Sequence, residues 1–468
     1  MKTKIKKFEI NKTAPFELDI FDRKKSVLIL NELFKRIAEP FVLSITSPWG
    51  TGKTTFLSML NGYLETEKYN TIYFSAWEND FSNDALISIV SELENSINNL
   101  NVTIDVKNET KELFNKSKKI ATKLLKNSIP LAVKLGSAGL LDLSDFTEEA
   151  ISGFAEDLAK DQIKKYDESK KTIISLKTSL SELSEFLYEK TKKPIIIFID
   201  ELDRCRPNYT IEVLEKIKHL FSINGIIFVL ALDKIQIINS IKKIYGENID
   251  SDGYLRRFID LEYNLPLPDK DKYVEYLYME YNIENFFTSF QDRGIGNYEI
   301  SEFIKSIKRY SKATNVSLRK LEQIFIEISI SLMMIKKDEF LILHLLTLLI
   351  FFKNTNIEFY FKLREKNTTF IEIENEIETF KLNNDNEGNY RLEIFRVYLQ
   401  ISIISQKELT EIVNKNKNTI QTNTEPEDAI AEADFFNRIV YDKEQNYRRL
   451  NILDFLLSKI DLSSNFSV

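Results

Sequence analysis

Residues Ser47–Thr54 read SPWGTGKT, set between the apolar run FVLSIT (Phe41–Thr46) and the helically spaced run FLSMLNGYL (Phe56–Leu64). A strand, a glycine-bearing turn and a helix in that order are the setting a phosphate-binding loop requires. Glycines at 50 and 52 let the backbone take positive φ and bring its N–H groups close to phosphate oxygens. The helix N-terminus adds positive potential. Lys53 would set an ammonium on the outer phosphates, and Thr54 would ligate Mg2+ through its hydroxyl. The phosphate-binding set is Trp49, Gly50, Thr51, Gly52, Lys53, Thr54 and Thr55. Glycine is scarce in this chain, 12 in 468 residues, yet two of them fall in this one turn. The chain's two tryptophans, Trp49 and Trp77, lie in or near it.

The complementary half is IIIFIDELDR, Ile195–Arg204. A buried strand ending in carboxylates places Asp200 to hold Mg2+ and Glu201 to polarise and deprotonate an attacking water. Asp203 and Arg204 read either as an ion pair shaping the loop or as a helix-start charge cluster. Asp233 closes a further strand, FVLALD, as a sensor of the γ-phosphate or as the N-cap of the next helix. Arg256 and Arg257 in YLRRFIDL are candidates for a finger that completes a neighbouring subunit's site, or are solvated. Arg319, at the start of a helix, either reaches back to the nucleotide or lies on the surface.

Further runs at Thr71–Ser75, Ile226–Ala231 and Ile259–Tyr263 alternate with helical segments. Their near-continuous apolarity predicts parallel strands covered on both faces, an α/β core. The connection from Ser75 to Ile195 is too long for one crossover helix and predicts an inserted helical subdomain. Within it, Thr110–Asn127 is lysine-rich and amphipathic, Ile129–Leu141 is apolar, and Asp157–Lys190 reads as a long charged helix. Lys116, Lys118, Lys119, Lys123 and Lys126 with the apolar stretch could meet an anionic membrane. The stretch is short, and packing on the chain's own core is the favoured reading for 110–141. Asp269–Lys353 is helical: Leu318, Leu321, Phe325, Ile328 and Leu332 mark one helix face, and Phe340–Phe352 a buried core helix. Lys381–Asn389 and Asn414–Asp428 read as polar loops. The expected division is 1–105 and 191–266 for the core, 106–190 for the insertion, 267–353 for a lid and 354–468 for a C-terminal helical region.

Composition narrows the chemistry. Net charge is -7, from 64 basic and 71 acidic side chains, which argues against a general nucleic-acid coat and leaves a local basic groove open. One cysteine and two histidines exclude a disulfide framework and a zinc-finger cluster. Cys205, His219 and His344 read as structural. No secretory signal and no long apolar span is visible, so a cytoplasmic location is expected.

The motifs PWGTGKT, FSAW (Phe74–Trp77), IDELDRCRP, LALD and YLRRFIDLEYNLP together resemble the KAP P-loop NTPases, over about residues 15 to 350. The resemblance implies an ASCE/AAA-like core, a helical lid, ATP as the nucleotide, oligomeric action, and for bacterial members a link to defence against phage or mobile elements. The C-terminal helical region would bind a protein partner. The family usually has Gly at Ser47, Asn at Ser75 and two aspartates at Asp200 and Glu201, and many members carry transmembrane helices in the insertion. The resulting expectation is a Mg2+-dependent ATPase switch, with a nucleotide-binding scaffold that hardly hydrolyses as the alternative.

Overall fold

Side chains along the central strands alternate between two cores. Ile195, Ile197 and Ile199 of one strand enter one hydrophobic cluster, and Ile196 and Phe198 enter another. The next strand divides its residues in the same way, Ile226, Phe228, Leu230 and Leu232 against Ile227, Val229 and Ala231. A strand buried on both faces has no polar side, hence its unbroken apolar sequence.

The chain is seen in a computed structural model that describes residues 10–37, 39–81, 88–89, 91–92, 94–95, 103–127, 171–172, 174–218, 222–288, 297–336, 342–447 and 451–464. Five strands are present among them: β1 (Phe41–Thr46), β2 (Asn70–Ser75), β3 (Ile195–Asp200), β4 (Ile226–Leu232) and β5 (Leu261–Asn264). They form one parallel sheet in the order β2-β3-β4-β1-β5. The fifth strand starts two residues later than the sequence pattern suggests. It is an edge strand with exposed side chains, so burial does not mark its limits.

Helices α1 (Lys24–Phe34) and α2 (Lys53–Thr66) cover one face through Val27, Leu30, Phe34, Phe56, Leu57, Leu60 and Leu64. The other face takes α4 (Pro207–Ile217) and α5 (Lys234–Tyr245), with Val213, Leu214, Ile237 and Ile241 buried. The insertion supplies α3 (Ile104–Asn127) and helical residues 174–191. Phe114, Leu176, Leu180, Leu183 and Leu187 join them to this same face, and Ser117 and Ser179 share a hydroxyl–hydroxyl bond of 2.8 Å. Lys116 and Lys119 are exposed, and Lys118 pairs with Glu94. The apolar stretch 129–141 and His219 lie outside the described residues, as do the side chains of Lys123 and Lys126. No helix among the described residues is long and apolar enough to cross a membrane.

Residues Phe8–Leu267 make up this first unit, and the described residues of the second lie within Pro268–Val468. The second unit is helical, and one core collects residues from both sides of position 353, from Val274 through Phe352 to Ile460. The stripe Leu318, Leu321, Phe325, Ile328 and Leu332 is buried as its spacing implies. The apolar run appears as a buried helix, Leu343–Thr355, with His344 half-buried on it.

Of the two expected loops, 381–385 is non-helical and only 386–389 enter a helix, Asn386–Ser402, whereas most of the second is helical, within Gln406–Thr422. Asparagine counts as a loop signal, but Ser405 and Glu408 form a reciprocal capping box that starts the second of these helices. Only Leu409 of it is buried, so its polar residues can face water.

Helix Asn386–Ser402 is fixed by Arg309, a buried guanidinium held by both carboxylate oxygens of Asp385. A Cβ at Gly388 would fall inside van der Waals contact of that guanidinium. Gly388→Ala should cost about 3 kcal/mol, the upper end of an overpacking penalty. Urea unfolding followed by circular dichroism reads this; an unshifted midpoint would mean that Arg309 moves aside freely.

Candidate functional site

The loop after β1 turns on two glycines in the left-handed region, Gly50 at φ 74° and Gly52 at φ 87°. Gly52 stands at the N-cap position of α2, and no side chain caps that helix. The first-turn N–H groups, which have no intrahelical acceptors, therefore face the loop as ready anion donors. Lys53 is buried beneath them, its Nζ 2.6 Å from the Ser47 carbonyl and 3.3 Å from Asp203 Oδ2. Thr54 is exposed at the loop's mouth, and Thr55 follows it in the first turn.

Three more residues fix the loop. Arg23, buried at the start of α1, donates from Nη2 to the Thr51 carbonyl at 3.0 Å and rests on the Phe21 and Phe56 rings. The Trp49 N–H donates to Asp233 Oδ2 at 3.0 Å. The Trp49 indole N–H donates to Asp203 Oδ2 at 2.8 Å, while the indole remains half-exposed.

At the end of β3, Asp200 is almost wholly buried. Its Oδ1 accepts the Glu201 N–H at 2.8 Å and its Oδ2 accepts the Tyr73 hydroxyl at 2.5 Å. Burial raises its pKa, and the Tyr73 and Thr54 hydroxyls and the Glu201 N–H pull against that rise. A buried phenol against a carboxylate is itself held protonated well above its ordinary range. Thr54 and Asp200 thus bring a hydroxyl and a carboxylate together, hard oxygen donors that fit Mg2+. Among the described residues no trio of His, Cys, Asp and Glu gathers for a metal.

Glu201 is a non-glycine residue in the left-handed region, φ 61°. Such strain collects at functional turns. Its carboxylate accepts the Ser75 hydroxyl at 3.1 Å and pairs with Arg204 at 2.7 Å. The expected Asp203–Arg204 pair is thereby corrected. Leu202–Arg204 is a 3-10 turn, in which residues three apart eclipse and neighbours diverge. Arg204 therefore meets Glu201 and stacks over Trp77, while Asp203 turns inward to Lys53.

The profile of the KAP family P-loop domain matches residues 25–335, more than half of the chain. The chain belongs to the KAP family of P-loop NTPases. The uncharacterized protein MJ0182 of Methanocaldococcus jannaschii is 28% identical over 174 residues, 35% of this chain and 89% of that protein. Among solved structures, the Aeropyrum pernix ORC2 protein (ADPNP-ADP complexes) aligns over 90% of this chain and 95% of its own at 10% identity, with a TM-score of 0.33.

Against the KAP pattern, Ser47 causes no backbone strain, since its φ is negative and no glycine is needed there. It is buried, and its hydroxyl shares a 2.5 Å hydrogen bond with Thr51 across the turn. Ser75 stands where KAP proteins usually have Asn and still reaches Glu201. Asp233 caps α5 through Oδ1, at 3.1 Å from the Ile235 N–H, so the cap reading holds, and its other oxygen ties it to the loop. Arg256 pairs with Asp252 at 2.5 Å and is exposed, as is Arg257. Arg319 is exposed in the first turn of helix Leu318–Met333 in the second unit. Cys205 is buried, its thiol pushed up to about 12 by burial, which keeps it unreactive.

The sequence reading missed Arg23 and Tyr73. Neither carries a local signal: one lies in a segment preceding the loop and the other on a neighbouring strand. Asp203 was visible but assigned to the wrong partner.

Proposed function

We propose that this KAP protein is a Mg2+-dependent ATPase that works as a switch. The observation that supports this most is the buried Lys53 under an uncapped helix N-terminus, set opposite the Asp200–Thr54 pair. In this reading Lys53 and the amides of Gly50 to Thr55 hold the phosphates, while the Trp49 N–H is taken by Asp233. Thr54 and Asp200 hold Mg2+, which would neutralise charge on the phosphate oxygens. Glu201 takes the proton of the attacking water. Adenine is preferred over guanine by family resemblance.

Arg256 or Arg257 would complete the site of a second copy, so the protein would act as a homo-oligomer. Arg319 and the helical second unit would respond to nucleotide, with a protein effector on the C-terminal helices. A cytoplasmic setting is part of this proposal, and a role in defence against phage or mobile elements accompanies it by family analogy alone.

A second reading has its own support. Glu201 is engaged by both Ser75 and Arg204, as expected of a nucleotide-binding scaffold that does not turn over. Phosphate release from ATP, measured with and without Mg2+ across protein concentration, separates the two. Specific activity that rises with concentration and needs Mg2+ upholds the ATPase and the shared site. ATP binding with background release at every concentration upholds the scaffold.

A further inference from the structure

A single carboxylate oxygen, Oδ2 of Asp203, takes three donors from different parts of the fold. The Asp233 N–H at the end of β4 lies at 2.7 Å, the Trp49 indole N–H at 2.8 Å and the Lys53 ammonium at 3.3 Å. The Asp203 side chain is 2% exposed and that of Lys53 9%. An anion therefore already sits on the cation that a phosphate chain would need.

We propose that Asp203 competes with phosphate for Lys53, and that Trp49 carries the outcome of that competition to the surface. The proposal rests on the nucleotide reading above and adds a regulation to that site. In the ligand-free protein Asp203 neutralises Lys53 and pins the indole. When a polyphosphate draws Lys53 away, Asp203 is left as a buried carboxylate without a counter-ion, which is costly. It then shifts within its pocket, and the indole hydrogen bond changes with it. Trp49 is 49% exposed, so this change is visible from outside the site. The sequence offers Trp49 as a reporter of nucleotide state but not its link to Asp203, which lies far along the chain from both Trp49 and Lys53.

The test uses the full chain with Trp77→Phe, which leaves Trp49 as its sole indole, and a parallel set retaining Trp77. Ligands are sodium tripolyphosphate and ATP, with affinity from calorimetry and Trp49 emission as a second signal. Asp203→Asn keeps an acceptor for the two N–H donors and removes the charge. It should bind both ligands about tenfold more tightly, the margin between a charge-assisted and a neutral contact. Its ligand-free Trp49 emission should shift toward that of the ligand-bound parent. Asp203→Ser, smaller and also neutral, should tighten binding in the same direction, and circular dichroism checks that each variant is folded.

Unchanged or weaker binding in both neutral variants, with Lys53→Ala abolishing binding, would overturn the competition and leave the nucleotide reading standing. Binding that appears only when Asp203 is neutral, and needs Lys53, would support a latch strong enough to hold the site shut. Binding that ignores both Lys53 and Asp203 would overturn the latch and the nucleotide reading together.

Discussion

Glu201→Gln should lower ATP turnover about a hundredfold or more, the usual contribution of a positioned general base, while ATP affinity stays near that of the parent. The two effects separate because Glu201 is beside the proposed metal-binding pair, Thr54 and Asp200, but is not part of it. Glutamine matches its shape and can still accept the Ser75 hydroxyl, now 3.1 Å away. What it cannot do is take a proton. It also loses its charge against Arg204, whose side chain is 37% exposed. An ion pair that open is worth at most about 1 kcal/mol, so the fold should tolerate the change. Steady-state phosphate release gives the first number, and calorimetric titration with ATP gives the second. Equal turnover in parent and variant would move the base elsewhere. Loss of ATP binding would make Glu201 a structural residue of the turn.

The engagement of Glu201 bears on how the site is switched. Both carboxylate oxygens are occupied, one by a hydroxyl from β2 and one by a guanidinium three residues on. Catalysis in this reading needs at least one of these contacts to loosen. Arg204 is the easier to release, since it is partly exposed and its alternative resting place, the face of Trp77, is already in contact. The strained backbone at Glu201 places the carboxylate at the strand tip, where a small rotation changes its partner.

How much of this was legible beforehand depended on the kind of interaction. The three inner strands were readable because parallel strands covered on both faces admit almost no polar side chain, as IIIFID and IIFVLAL show. The phosphate loop was readable because positive φ at two close positions demands glycine, and this chain has few to offer. Asp203 was misread because adjacency in sequence suggested a pair with Arg204, whereas the 3-10 turn sets them on opposite sides. Arg23 and Tyr73 were illegible because each acts across the fold, on Thr51 and Asp200, with no spacing rule that links them. The start of helix Asn386–Ser402 and the end of Gln406–Thr422 were masked by asparagine, while the capping residues Asp385 and Ser405 carried the helical signal.

Lys53→Ala should weaken ATP binding by about a hundredfold or more, roughly 3 kcal/mol, since in the proposed reading it removes charge-assisted contacts to phosphate oxygens. The residue is not a surface lysine that happens to follow two glycines. It is 8% exposed, and its ammonium is held by the Ser47 carbonyl at one end of the loop. Truncation also leaves Asp203 with two N–H donors and no cation, so some stability is lost with the affinity. Lys53→Met, which keeps the aliphatic stem packed, limits that loss and isolates the charge. Combining it with Asp203→Asn removes the orphaned carboxylate as well. If the phosphate assignment is right, this double variant should regain the stability of the parent and still fail to bind ATP. Recovery of binding in the double variant would show that the ammonium serves only to balance Asp203, and the phosphate-loop assignment would fall.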